Sequence, residues 1–266
     1  MVVLKETKLP KSLECERIGD LAILRLARPE KRNAINLETL LGIKHFFQAL
    51  SDEIKGVIIT GSCEHFSAGL DLSELAEKDA PAGMMHSREW HEVFHLIQYA
   101  HVPVVAVLHG AVVGAGLELA SAAHIRVADA SAFYALPEGQ RGIFLGGGGS
   151  VRLSRLVGVA RVMDLMMTGR SINAQDGYLC GFSQYVVDAG QGMETGIDVA
   201  TRASGNAPLS NFAIIHGLPR ICEMSPEDGL LTEALLTGVV QSSAEAKERL
   251  IGFLQKRTEK VKRPAL

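Results

Sequence analysis

No strong charge of either sign is present in this 266-residue chain: 27 Lys and Arg stand against 30 Asp and Glu, a formal net charge of −3. A global field that would draw in nucleic acid or an anionic membrane is thereby excluded, so any anionic ligand must be held by a local cluster. Cysteine is scarce as well. Cys15, Cys63, Cys180 and Cys222 lie far apart, at no metal-ligand spacing, and are too few for a disulfide scaffold in a chain of this length. They read as reduced thiols in a reducing compartment. Long apolar runs are also missing. The longest, residues 102–108, is far too short to span a bilayer. The opening MVVLKETKLPKS lacks the apolar stretch of a secretory leader, and the final RPAL matches no retention or peroxisomal signal. The expectation is a soluble cytoplasmic protein with no membrane and no nucleic-acid partner.

What is present is ordinary for a globular protein: 47% hydrophobic and 21% charged residues. Residues 21–26 read as a strand ending at Arg28 and Pro29. Residues 37–50 carry Leu40, Leu41, Phe46, Phe47 and Leu50 at helical spacing behind Asn36, a plausible N-cap. Buried strands are predicted over 56–60 (GVIIT) and 102–108, with an amphipathic helix over 87–100 between them. Residues 110–123 open on glycines and become a helix. Strands follow at 125–128 and 132–136, then a glycine run and a helix over 151–157. The irregular strand–strand–helix order implies an α/β chain. Strand signals end near residue 201, and 245–262 reads as a charged amphipathic helix. The expected division is a core over 1–200 and a helical region over 201–266.

Four features carry chemistry. Residues 66–71 (FSAGLD) place small residues after a strand, where a ligand can approach main-chain N–H groups. Residues 110–118 (GAVVGAGLE) follow the valine-rich strand and open a helix, whose first N–H groups are unpaired and lie at a favourable dipole. Two such loops facing each other would make an oxyanion hole, although either alone also fits ordinary strand–turn–helix punctuation. Glu118 lies within an apolar helix, where a carboxylate is costly unless partnered or functional. Glu138 follows Pro137 at a strand end. Two carboxylates in a partly dry site push their pKa values apart, so one serves as acid and the other as base. A buried structural ion pair or a helix cap would use the same residues. The run Gly146, Gly147, Gly148, Gly149 lacks the Lys of a phosphate-binding Walker loop. Leu119 breaks the dinucleotide fingerprint that Gly114 and Gly116 would begin.

In order, spacing and content these segments resemble the enoyl-CoA hydratase/isomerase (crotonase) superfamily. The likeness runs from about residue 21 to 257 and is strongest from 66 to 71 and through HGAVVGAGLELASAAHIRVADASAFYALPEGQRGIFLGGGGSVRLSRLVG to MTGRSINAQDGYLCGFSQYVV. The resemblance implies a spiral of ββα turns with a helical C-terminal region that builds trimers or dimers of trimers. It implies an acyl-CoA substrate, with coenzyme A arriving as part of it and no separate cofactor or metal. By position, Ala68 and Ala115 would supply the oxyanion N–H groups. Glu118 and Glu138 match the two glutamates of the family's hydratases, and Gly146 matches a glycine near the attacking water. Residues 28–36 (RPEKRNAIN), with Arg32 and Ala34, resemble the stretch that meets the nucleotide end of CoA. Both glutamates together point to hydration of a trans-2-enoyl-CoA, with Glu138 serving C2 and Glu118 holding water. Isomerisation and acyl-CoA hydrolysis are the alternatives within the family. Leu136 stands where some hydratases have Gln, and the Asp of dienoyl isomerases, expected at Gly146, is absent.

A different chemistry is suggested by residues 91–95 (HEVFH). On a helix, His91 and His95 share one face, and a zinc hydrolase would use Glu92 as base and Glu118 as a possible third ligand. The five-residue pattern is short, and alternating polar residues on a surface helix explain it adequately. His109 and His124 read as structural hydrogen-bonding groups. His86, Arg88 and Trp90 fall where the resembling family borders its acyl pocket, and Lys256 or Lys260 are candidates for CoA phosphates. A non-catalytic CoA-binding scaffold is a third class, disfavoured by the paired acids.

Overall fold

A computed structural model of the chain describes residues 8–74, 79–255 and 257. These divide into two compact units that part between Ser204 and Gly205. The first begins with β1 (Leu13–Ile18), β2 (Leu21–Leu26) and α1 (Leu37–Gln48), followed by β3 (Gly56–Gly61) and α2 (Ala80–Gln98). The strand–strand–helix unit recurs as β4 (Val104–Leu108), β5 (Ala111–Val113) and α3 (Ala115–Ala122). It recurs again as β6 (Ile125–Asp129), β7 (Phe133–Ala135) and α4 (Gly149–Val157). Then come α5 (Val159–Thr168), β8 (Ser171–Asn173), α6 (Ala174–Cys180), β9 (Tyr185–Val187) and α7 (Gly192–Ser204).

Six strands form one sheet in the order β1-β2-β3-β4-β6-β9, and β5-β7-β8 form a second. Only β1–β2 and β7–β8 pair antiparallel; the rest are parallel. In the two later turns the successive strands, β4 and β5, then β6 and β7, pass to different sheets, as in a spiral of ββα turns, whereas β1 and β2 pair within one sheet. Parallel strands covered on both faces read as continuous apolar runs, and GVIITG in β3 is buried at every position. Leu24, Val57, Ile59 and Ala106 point into the main core, while Ile23, Ile58, Val105 and Val107 pack under Val199 and Ala200 of α7. Gly196 allows that approach, since a Cβ there would lie 2.3 Å from Val107.

The sequence expectations for residues 21–26, 37–50, 56–60, 125–128 and 132–136 correspond to β2, α1, β3, β6 and β7. Asn36 caps α1, accepting from the Thr39 N–H. The helix expected over 87–100 begins earlier, because Asp79 accepts from the Ala82 N–H and caps a turn that starts at Ala80. The glycine-led segment before α3 contains the short strand β5, and β1, β8 and β9 were not foreseen.

The second unit is helical throughout its described residues. It comprises α8 (Pro208–Phe212), a π-helical turn (Ala213–Gly217), α9 (Leu218–Ile221), α10 (Pro226–Ser242) and α11 (Ala244–Leu254). Ser225 and Ser243 cap α10 and α11 through the N–H groups of Asp228 and Ala246. The helix expected over 245–262 ends at Leu254, where Gln255 forms its C-cap. Lys256, Lys260 and the other residues from 258 onward lie outside the described residues. Among the described residues no helix is long and apolar enough to cross a membrane.

Candidate active site

Two loops meet where β5 pairs with the segment after β3. Ser67 bridges Val112 in parallel register, and Ile35 bridges Leu70. Asn33 pins this junction. Its side-chain amide donates to the carbonyls of Ser62 (2.9 Å) and His65 (2.6 Å), while its Oδ1 accepts from the Arg28 N–H. Arg28 in turn holds Asp71 at 2.9 Å and the Ala34 carbonyl at 2.8 Å. The Ser73 hydroxyl and the Arg28 guanidinium together lower the Asp71 pKa to about 2, so this carboxylate stays ionised. Within the stretch expected to meet CoA, Arg28 and Asn33 therefore brace the 66–71 loop. The Arg32 side chain is exposed and Ala34 is buried.

The bracing corrects one expected donor. The Ala68 N–H donates to the Arg32 carbonyl at 2.9 Å, so it is not available to a ligand. Gly69 donates to the Ser67 hydroxyl at 3.2 Å. Among the described residues, the N–H groups of Leu70 and Ala115 have no hydrogen-bond partner, and both residues line the same cavity. Ala115 is the first residue of α3, where no intrahelical acceptor exists for its N–H. Gly69, at φ +100°, brings the loops together: a Cβ there would lie 2.8 Å from the Val113 carbonyl oxygen and 3.3 Å from the Ala115 nitrogen. The pair that fits an oxyanion is Leu70 with Ala115, not Ala68 with Ala115.

Both glutamates line this cavity, whose volume is about 500 Å³, within the usual range of small-molecule sites. Glu118 is 3% exposed and projects from α3. Its Oε1 accepts from the Gly147 N–H (2.9 Å) and the Gly149 N–H (2.8 Å) at the start of α4. The glycine run thus cradles an anion after all, and the anion is the protein's own carboxylate. A Cβ on Gly149 would lie 2.6 Å from Glu118 Cγ. Burial raises the Glu118 pKa, while the N–H groups of Gly149 and Gly147 and the nearby Arg152 oppose the rise.

Glu138 has no such cradle. It is 7% exposed, and its Oε2 is buried without a hydrogen-bond partner among the described residues. Burial first, and the charge of Glu118 second, raise its pKa to about 7, against the opposing pull of its own backbone and Arg141. Its Oε1 lies against Gly114, where a Cβ would approach to 2.7 Å. One carboxylate is fixed by two donors, and the other is poised to hold or release a proton near neutrality.

Gly146 also lines the cavity, and its carbonyl accepts from the Ser87 hydroxyl at 2.7 Å. Its neighbours on the wall include Trp90, Ile143, Phe144 and Leu145. Of the three residues expected beside an acyl pocket, His86 and Trp90 line it and Arg88 does not. Arg141 is an additional cationic wall residue. Sequence reading overlooked it, although its place three residues after Glu138 was a usable signal. His124 is structural, with Nδ1 accepting from the Val104 N–H at 2.8 Å. In the HEVFH segment, Glu92 pairs with Lys44 at 3.3 Å and His91 meets the Ser87 hydroxyl at 3.2 Å. Among the described residues, no three His, Cys, Asp or Glu side chains converge as a metal site, and Glu118 is held by the glycine loop instead.

Residues 16–263 match the family described as enoyl-CoA hydratase/isomerase. The chain is 32% identical over 238 residues to a 2,3-dehydroadipyl-CoA hydratase of Escherichia coli, covering 89% of this chain and 92% of that one. It is 32% identical over 249 residues to a short-chain-enoyl-CoA hydratase of Clostridium acetobutylicum, covering 91% and 94%. Among solved structures, a Rhodopseudomonas palustris protein provisionally described as an enoyl-CoA hydratase superposes with a TM-score of 0.90 at 52% identity, covering 92% of this chain and 95% of that one. The enoyl-CoA hydratase of Thermoplasma volcanium superposes with a TM-score of 0.84 at 32% identity, covering 91% and 96%. With a family match over nearly its whole length and relatives covered just as fully, the chain belongs to the enoyl-CoA hydratase/isomerase family.

Proposed function

We propose that the protein is an enoyl-CoA hydratase, adding water reversibly across the C2–C3 double bond of a trans-2-enoyl-CoA. The observation that carries this reading is the unlike pair of buried carboxylates on one cavity: Glu118 fixed by two N–H groups, and Glu138 unpartnered at one oxygen among the described residues, with a pKa of about 7. The thioester oxygen accepts from the Leu70 and Ala115 N–H groups, which stabilise the charge that develops as the enolate forms. Each such donor contributes about 3 kcal/mol to transition-state stabilisation. Glu118 orients a water beside Gly146 and takes its proton as oxygen bonds to C3. Glu138 delivers a proton to C2, and the reverse reaction uses the same groups in opposite roles.

Coenzyme A enters as part of the substrate, and the mechanism needs no further cofactor or metal. Arg32 and Ala34 lie on the stretch proposed to meet the nucleotide end. A homotrimer, or a dimer of trimers, is the assembly that the family resemblance favours, and the reading of the four cysteines as reduced thiols favours the cytoplasm.

Incubation with trans-2-enoyl-CoA esters of varied length tests the reading through decay of the conjugated enoyl-thioester absorbance. Appearance of the 3-hydroxyacyl-CoA, abolished by Glu118→Gln and by Glu138→Gln, is the expected result. A shifted double bond, or free CoA without hydration, would replace it with isomerisation or thioester hydrolysis.

A further inference from the structure

The run Gly146, Gly147, Gly148, Gly149 has no stiffness of its own, and yet Glu118 takes both of its donors from it. What fixes the loop lies on its far side. In a trans peptide the C=O and the N–H point opposite ways, so a grip on one aims the other. The peptide joining Gly146 to Gly147 has its N–H on Glu118 and its carbonyl on the Ser87 hydroxyl, at 2.7 Å. The next peptide stands between the two that supply the donors. Its carbonyl, that of Gly147, accepts from Arg152 Nη1 at 2.8 Å.

Arg152 projects from α4, is half-buried, and is not among the residues lining the cavity. Its Nε donates to Gln98 Oε1 at 2.8 Å, at the end of α2. The Gln98 carbonyl meets His124 Nε2 at 3.0 Å, and His124 Nδ1 accepts from the Val104 N–H of β4. The guanidinium also packs onto Gly148, where the backbone is at φ +89° and a Cβ would fall 2.5 Å from Nη1. Burial lowers the Arg152 pKa, and the charge of Glu118 leads the influences against that fall. The charged groups around Glu118 are Arg152 from α4 and Glu138 beyond β7, with His91 of α2 alongside Gly148.

We infer that Arg152 is a positioning residue for Glu118: by gripping the Gly147 carbonyl and Gln98 together, it holds the glycine N–H groups on the carboxylate and so aims it at the water. The inference rests on the hydratase reading for the role of Glu118. Arg suits the task because its planar fork reaches two acceptors at once, which the point charge of Lys does not. With Arg152 removed, the loop relaxes and the donors drift from the carboxylate. Burial is then less opposed, and Glu118 takes up its proton at higher pH.

The experiment compares wild type, Arg152→Met and Gln98→Leu in hydration of trans-2-butenoyl-CoA across pH. An infrared titration of the Glu118 carboxyl accompanies it, in a Glu138→Gln background where the neighbouring acid is silent. Loss of the band on adding Glu118→Gln assigns it. Arg152→Met should lower kcat by about 100-fold, as a small misplacement of a catalytic group does, with KM little changed. The acid limb of kcat/KM and the infrared midpoint should both move to higher pH. Gln98→Leu leaves the Arg152 charge in place and should move both in the same direction by less. It carries the test if Arg152→Met does not fold. A fall in kcat with limb and midpoint unmoved would overturn the inference, because Arg152 would then only hold the fold together. Hydration by the wild type with an unmoved midpoint leaves the hydratase and removes the clamp. A moved midpoint with no hydration by the wild type keeps the clamp and removes the hydratase.

Discussion

Glu138→Gln should make the protein more stable at alkaline pH while removing its activity. The Glu138 carboxyl has an ordinary pKa of 4.5 in the open chain and about 7 in the folded protein, chiefly because it is buried. The unfolded chain therefore ionises first as pH rises. Between 4.5 and about 7 the unfolded state progressively gains on the folded state, and above that range the full cost is present. A difference of about 2.5 in pKa corresponds to about 3 kcal/mol. A neutral amide of the same shape avoids that cost. Urea denaturation at one protomer concentration checks this, comparing wild type and Glu138→Gln at pH 5 and at pH 8.5. The two should differ by no more than about 1 kcal/mol at pH 5, and the variant's advantage should grow to about 3 kcal/mol at pH 8.5. A difference that does not change with pH would refute the reasoning, because the cost would then belong to packing and not to the buried charge.

Other predictions follow from the same geometry. Hydration kcat/KM should fall as pH rises through about 7, as the glutamate pair loses the one proton it needs, and a flat profile to pH 9 would contradict this. Gly149→Ala places a methyl group 2.6 Å from Glu118 Cγ. It should cost about 1–3 kcal/mol in denaturation and at least about 10-fold in kcat, because the carboxylate must leave its two donors. Gly69→Ala puts a Cβ beside both the Val113 carbonyl and the Ala115 nitrogen. Loss of one oxyanion donor predicts a fall of about 100-fold or more in kcat with a native circular dichroism spectrum. Unchanged kcat would remove Leu70 and Ala115 from the mechanism.

Much of the site was legible because its chemistry is local. A carboxylate inside GLELASAA is conspicuous, and the glycines before it announce a helix start. The buried strands β3 and β4 were legible for the same reason, being apolar, rich in β-branched residues and bounded by turn signals. What escaped depends on partners distant in the chain. The 66–71 motif marks a donor loop, but which N–H is free depends on the Arg32 carbonyl, 36 positions before Ala68. The glycine run lacks the Lys of a phosphate-binding loop, and nothing in its own sequence shows that its N–H groups hold Glu118 from another helix. The three-residue strands β5, β8 and β9 are too short to show a period. In β1 the sequence LECERI mixes charge into an edge strand, which weakens the apolar signal. At the start of α2, Pro81 and Gly83 lower helix propensity, and the Asp79 cap and later packing override it.

The division of labour between the two glutamates is tested most directly by deuterium exchange at C2 of butyryl-CoA in heavy water. This substrate has no double bond and no leaving hydroxyl, so exchange requires only the oxyanion donors and the base that serves C2. The account predicts that Glu118→Gln retains exchange within about 10-fold of wild type, whereas Glu138→Gln loses about 100-fold or more. The opposite pattern, with exchange surviving in Glu138→Gln and lost in Glu118→Gln, would contradict it.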